Sequence, residues 1–287
     1  MGAVDASGIG GGEDLLGRML AALHPQDWHS VDRRSDPKDQ WAVGLVNLGI
    51  SAVHPQPARM AGSESIAFLF GRLHFDPAER RELSQDPTAG EISDAELALR
   101  IYEANGGSLP RGLRGSFAVT IVDRARRRIL IANDTIGQRP VYYNLRGSRL
   151  VFGGAVNAIL QDATLKRSIN REAMADLFEY RYVLGDKTLF EGISLLSPGA
   201  RLLYDLGSGS AEVEEDDSLD DWFGASVDAR PSEVILDELA EIFRVAARRV
   251  CDGERQNTVS LSGGMDSRAV LAAIRPEEVK INSFTVG

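Results

Sequence analysis

Apolar residues recur along this chain with two periods, and the changes from one to the other mark its elements. Near the start, Leu15, Leu16, Met19, Leu20 and Leu23 fall on one face of a helix predicted over residues 13–24. A polar stretch rich in Asp, Arg and His follows, and then two strand-like runs, WAVGLVNLGISAV and SIAFLFGRLHF. The segment SDAELALRIYEANG predicts a helix with Ser93 or Asp94 at its N-cap and Gly106 just past its end. Four short runs, GSFAVTIVD, RILIAND, VYYNL and RLVFGG, are separated by turn signals and read as strands. Another helix, NREAMADLFEYRYV, leads into turns and strands across LFEGISLLSPGARLLYDL. Antiparallel strands in groups, with helices between the groups, predict an α+β layered domain.

From Gly207 the pattern lapses. Residues 207–231 are Gly/Ser-rich and then acidic, without periodicity, and read as a linker. After Pro231 the period returns. Ser232 is placed to cap a helix whose Ile235, Leu236, Leu239, Ile242, Phe243, Ala246 and Val250 share one side. The strand TVSLS follows, then Gly263 and Gly264, a helix from about Asp266 to Ile274, and the strand KINSFTV. Strand, glycine turn, helix, strand is the order of one βαβ unit of a parallel sheet.

Composition narrows the picture without changing it. With 287 residues, 43% hydrophobic and 26% charged, the chain has room for two globular domains. A net charge of -10 argues against a nucleic-acid partner. The arginines of DRARRR, Asp123 to Arg128, lie between two strand-like runs and read as a solvated hairpin turn. The lone Cys251 excludes an internal disulfide and a multi-cysteine metal site, and reads as a small buried thiol. No apolar run is long enough to span a membrane, and the N-terminus lacks the marks of a secretory signal. A cytoplasmic location is the expectation.

The glycine turn is where chemistry enters. Without side chains at Gly263 and Gly264, the backbone can approach phosphate oxygens closely. The first-turn N–H groups of the next helix have no internal partners, and the helix dipole favours negative charge there. Ser262 and Ser267 add hydroxyl donors. Asp266 would repel phosphates unless a cation lies between them, which points to Mg²⁺. No Gly-Lys-Ser/Thr is present, so this is not a Walker A loop.

Ser-Gly-Gly-x-Asp-Ser after an apolar strand resembles the pyrophosphate loop (PP-loop) of the ATP pyrophosphatases. Other segments resemble the asparagine synthetase and β-lactam synthetase-like family. These are the Gly115 to Ala118 strand, the turn from Asn133 and Asp134 through Gly137, Pro140, Tyr142 and Tyr143, ISDAELALRIYEANG, and TLFEGISLLSPGARL. The resemblance implies a glutamine amidotransferase-like, N-terminal-nucleophile-type domain over residues 1–206. It implies an acidic linker over 207–231 and the truncated start of an α/β PP-loop domain over 232–287. It also implies ATP and Mg²⁺ as cofactors, held by Leu261, Ser262, Gly263, Gly264, Asp266, Ser267 and Val286. The partners implied are a small-molecule or peptide carboxylate and the remainder of the synthetase domain.

Two departures from the family pattern follow. The family's cysteine nucleophile is matched by Gly2, which carries none, and its Asn-Gly-Glu stretch falls at FGRLHF, where Gly71 remains but Phe70 replaces the asparagine. Asp94 sits where the family holds the glutamine α-amine, although an Asp at a helix start also serves as a cap. Glutamine hydrolysis is therefore not expected. The family's later acidic cluster and its catalytic lysine or tyrosine have no counterpart before Gly287. The expectation is an amide-forming ligase that adenylates a carboxylate and uses ammonia or an amine, incomplete as given. The alternative is a non-catalytic, degenerate amidotransferase-like binding module.

Overall fold

The computed structural model describes residues 2–5, 12–23, 26–47, 56–75, 77–84, 92–215, 223–224, 226–251, 257–274 and 279–285. The chain divides into two compact units, residues 1–73 with 80–223, and residues 74–79 with 224–287.

The first unit contains two six-stranded sheets in which every pairing is antiparallel. One comprises β1 (Gly2–Asp5), β2 (Ser30–Asp36), β3 (Trp41–Asn47), β8 (Tyr142–Arg146), β9 (Arg149–Gly153) and β10 (Ser194–Leu195), ordered β10-β8-β9-β1-β3-β2. The other comprises β4 (Ala58–Arg59), β5 (Ile66–Leu73), β6 (Gly115–Asp123), β7 (Arg128–Asn133), β11 (Arg201–Asp205) and β12 (Ala211–Glu214), ordered β12-β11-β7-β6-β5-β4.

The alternating apolar residues of these strands meet between the sheets. Trp41, Val43, Leu150 and Phe152 from one sheet pack with Phe68, Val122, Ile131, Leu202 and Tyr204 from the other. Burial of each such side chain contributes about 1.5–3 kcal/mol. Outside the first sheet lie α1 (Gly12–Ala21) and α4 (Val156–Ile159), through Leu15, Met19, Val151, Ala158 and Ile159. Outside the second lies α3 (Asp94–Ala104), which buries Leu97, Ala98, Ile101 and Tyr102 beside β4, β5 and β6. The unit is thus helix, sheet, sheet, helix. Being covered on both faces, β6 and β7 read as continuous apolar runs rather than strict alternation.

At one end of the sandwich the β6–β7 turn reaches across to the β2–β3 turn. Arg124 pairs with Asp36, and Arg127 with Asp39 at 2.9 Å. Behind that turn Asp123 is fully buried, accepting from the Tyr102 hydroxyl at 2.7 Å and the Arg126 guanidinium at 2.9 Å. The arginine-rich hairpin turn predicted from sequence is present, and its arginines are engaged with carboxylates rather than simply solvated.

Several expectations need correction. The segment from Gly207 is not all linker, because Ala211–Glu214 pairs with β11 as an edge strand. Both β1 and β2 escape the hydrophobic pattern: β1 is four residues long, and β2 is an exposed, polar edge strand. The helix α2 (Pro77–Ser84) was likewise not expected, while the predicted α5 spans Arg171–Tyr180. Cys251 is half-buried rather than buried, and desolvation still pushes its thiol pKa up.

The second unit holds α6 (Ser232–Val250), β13 (Asn257–Ser260), α7 (Met265–Ala273) and β14 (Ile281–Phe284). The two strands pair in parallel, from Asn257 with Ile281 to Ser260 with Phe284, with α7 as the crossover. Pro231, not Ser232, occupies the N-cap of α6, and no side chain caps it. Although α6 is strongly amphipathic, it buries no residue; Leu236, Leu239 and Ile242 are 61%, 58% and 59% exposed.

Candidate functional site

In the second unit the glycine turn joins β13 to α7. Leu261 continues the parallel pairing by donating its N–H to the Phe284 carbonyl at 2.9 Å. Gly263 has φ +78°, a conformation side chains resist, and a Cβ there would meet open space. Gly264 is the N-cap of α7, and no side chain caps the helix. Ser262 and Ser267 face each other across the turn, with their hydroxyls 3.3 Å apart. Asp266 is exposed in the first helical turn. The turn therefore offers solvent a glycine backbone, uncapped first-turn N–H groups and two hydroxyls, a set suited to an anion. Val286 lies outside the described residues. Among those described, no three His, Cys, Asp or Glu side chains gather to hold a metal.

In the first unit the expected residues lie where β1, β5 and α3 begin or end. Gly2 opens β1, paired with Val43 on one side and Phe152 on the other, so the site of the expected nucleophile is the start of a central strand. Gly71 has φ +110°, and a Cβ there would come within 2.0 Å of the Ser116 carbonyl. Its retention thus has a backbone reason: β5 and β6 approach too closely there for a side chain. Asp94 is not the cap of α3, since Ser93 Oγ accepts the Glu96 N–H at 3.0 Å. Asp94 instead accepts the Leu73 N–H at 3.2 Å and pairs with Arg80 at 2.7 Å.

The turn after β7 explains its sequence. Asp134 is 1% exposed, and its carboxylate accepts the backbone N–H groups of Phe117, Ile136, Gln138 and Arg139. Gly137, at φ +64°, closes the loop onto the Asp134 carbonyl at 2.8 Å. Four backbone donors satisfy the oxygens of this buried side chain without a side-chain partner.

Residues 33–213 match the glutamine amidotransferase domain family. The chain belongs to that family. Its curated relatives include asparagine synthetases and amidases. It is 26% identical to asparagine synthetase [glutamine-hydrolyzing] 3 of Bacillus subtilis, over 76% of this chain and 35% of the relative. It is 24% identical to the amidase chry2 of Gibberella zeae, over 84% of this chain and 37% of the relative. The chain thus spans about a third of the length of these relatives. Among solved structures, glutamine phosphoribosylpyrophosphate amidotransferase from B. subtilis, complexed with ADP and GMP, aligns with a TM-score of 0.47 at 11% identity. That alignment covers 99% of this chain and 65% of the other.

Within this amidotransferase domain, two side chains that the sequence does not mark as site residues stand toward the same end of the sheet. Arg139 places its guanidinium 5.0 Å from the centre of the Phe70 ring. Asn133, 5% exposed, donates through Nδ2 to the Leu196 carbonyl at 3.3 Å. Both lie in the Asn133 to Tyr143 string; Arg139 meets Phe70 directly, while Asn133 is two strands from it, across Ala118 of β6. No helix among the described residues is long and apolar enough to cross a membrane.

Proposed function

We propose that this chain is the amidotransferase-like, N-terminal-nucleophile-type domain and the first βαβ unit of a PP-loop domain from an ATP-dependent amide-forming ligase of the cytoplasm. Its amidotransferase half does not hydrolyse glutamine. The observation that carries the ligase reading is the turn from Ser262 to Ser267, with its open positive-φ glycine and uncapped helix start between parallel strands. These residues fit the triphosphate of ATP. Leu261 would lie beside the nucleotide, Ser262, Gly263, Gly264 and Ser267 would grip the phosphates, and Asp266 would share a Mg²⁺ with them. Magnesium keeps several waters and needs only one or two carboxylates beside phosphate oxygens, so a lone Asp suffices.

In the reaction a carboxylate oxygen of a small molecule or peptide attacks the α-phosphorus of ATP, and pyrophosphate leaves. Ammonia or an amine then attacks the acyl carbon, losing a proton as AMP departs. Support for the lost glutaminase lies in Gly2, which brings no nucleophile to the start of β1, and in Phe70, which brings no oxyanion donor. Gly71 and Asp94 are vestiges of the glutamine site in this reading. The apolar side of α6, exposed in the described residues, is the face that the rest of a synthetase domain would cover.

The test is Mg²⁺-dependent ATP binding by this chain, together with pyrophosphate release by the complete protein given candidate carboxylates and amines. Asp266→Asn should abolish release. Release that survives this substitution, or no release above background with any candidate, would sink the ligase reading. Glutamate released from glutamine would overturn the loss of glutaminase activity.

A further inference from the structure

Arg201 and Ala132 are partners across β11 and β7, and the residues that follow or precede them, Leu202 and Ile131, point into the core between the sheets. The Arg201 and Ala132 side chains therefore lie on the other, outer face of the sheet. After α3 the chain turns through residues 109–113 before it enters β6, and this turn meets the segments that follow β7 and precede β11. A pocket of about 290 Å³, its open mouth included, lies among them. Leu109 and Arg111 line it from the first segment, and Thr135, Gly199 and Arg201 from the others.

Two arginines line this pocket, and no Asp or Glu does. The Arg201 side chain is only 13% exposed, yet its one ion pair among the described residues, with Glu214 of β12, is 3.8 Å long. That is too long for a hydrogen bond, and a guanidinium withdrawn from water loses hydration that so loose a pair does not restore. Arg111 is exposed, and neither its guanidinium nor the Thr135 hydroxyl has a partner among the described residues. The Asp134 carboxylate, next to Thr135 in sequence, is taken up by four backbone N–H groups. Two guanidinium groups and a hydroxyl are the complement of an anion with several acceptor oxygens and more than one charge.

We propose that this pocket binds a phosphate group, free or as the end of a monoester whose remainder projects through the open mouth. Arg201 donates to the phosphate within the pocket, Arg111 closes on it from the mouth, and Thr135 adds a hydroxyl donor. The site belongs to the first unit and the outer face of its second sheet. It does not rest on the ligase reading, whose phosphate-binding turn lies in the second unit.

Calorimetric titration of the full chain at constant ionic strength, with inorganic phosphate, glycerol 3-phosphate and acetate, tests this. Saturable binding of one or both phosphates is expected, and the tighter of the two tells the free anion from the ester. Acetate, with a single charge and two oxygens, should bind about tenfold more weakly. Arg111→Gln, at an exposed position, should weaken phosphate binding by about tenfold and leave the ligand-free melting curve in place. Arg201→Gln should weaken binding at least as much; if that variant does not fold, Thr135→Val probes the same pocket and should weaken binding several-fold. Binding indifferent to these substitutions would put the anion elsewhere, the turn from Ser262 to Ser267 included, and would overturn the proposal. Acetate binding as tightly as both phosphates, or no saturation by either phosphate at roughly 10 mM, would overturn it too. Because the titration contains no ATP and reads no pyrophosphate, failure of the ligase reading and failure of this site are told apart.

Discussion

Gly71 shows how one residue can be retained for a reason other than the chemistry first suggested by its position. Its φ of +110° and the 2.0 Å approach to the Ser116 carbonyl demand glycine whatever the domain binds. The neighbouring Gly115 is under the same constraint, for its Cβ would come within 2.4 Å of the Arg72 carbonyl. Backbone meets backbone on both strands, and neither can yield as a flexible side chain would. Gly71→Ala is therefore expected to destabilise the first unit by at least about 2 kcal/mol, read as a lowered denaturation midpoint. An unchanged midpoint would mean that the two strands separate easily there. Asp134 makes the complementary point: four backbone N–H groups converge on it, so the family's Asn-Asp-x-x-Gly-x-x-Pro string is a folding signal as well as a family mark. Arg139 and Asn133 were invisible as site residues in the sequence. Arg139 meets Phe70 across 69 positions of sequence (139 − 70), a separation that periodicity cannot report.

Among the elements, those with one buried apolar face were legible and those without one were not. The helices α1 and α3 and the strands β3, β5, β6, β7, β8 and β9 announce themselves through spacing, caps and turn residues, whereas α5, which buries only Ala173, is legible from its Asn170 cap. The edge strands β2 and β12 carry mainly polar, exposed side chains, so neither yields the alternation by which a half-buried strand is recognised. The opposite mismatch occurs in α6. Its apolar stripe is as clear as that of any helix in the chain, yet Leu236, Leu239 and Ile242 remain largely exposed. Burial, not pattern, carries the energy. Leu239→Gln should consequently leave the melting temperature of this chain within a couple of degrees while reducing binding of a hydrophobic dye. A large drop in melting temperature would show that α6 is already packed in solution.

At the scale of the whole molecule, acid sensitivity is concentrated where charge is buried. Burial alone would raise the Asp123 pKa, but hydrogen bonds from Tyr102, the Arg126 backbone and the Arg126 side chain outweigh it and hold the carboxyl below its ordinary value of 3.8. Asp162 is likewise held low against its burial, by Thr164 and Arg149. A carboxyl depressed in the folded state binds its proton more readily when unfolded. Its stabilising contribution is complete above the unfolded value near 3.8, and it is lost as the pH falls from there through the folded pKa. The thermal midpoint should therefore fall steeply below about pH 4, and Asp123→Asn should lower it at neutral pH while flattening that acid limb. An acid limb equally steep in the variant would place the titrating groups elsewhere.

The position of β1 also bears on how the chain is made. During synthesis residues 2–5 emerge before both of their strand neighbours, for β1 lies between β3 and β9, and the latter spans Arg149–Gly153. At about 5–20 residues per second, the second neighbour follows on the order of ten seconds later. Until then β1 can pair on one side only, through β3, and its other edge stays open. β1 is thus made long before it is enclosed, and the growing chain carries an unsatisfied strand edge while residues up to Gly153 are added.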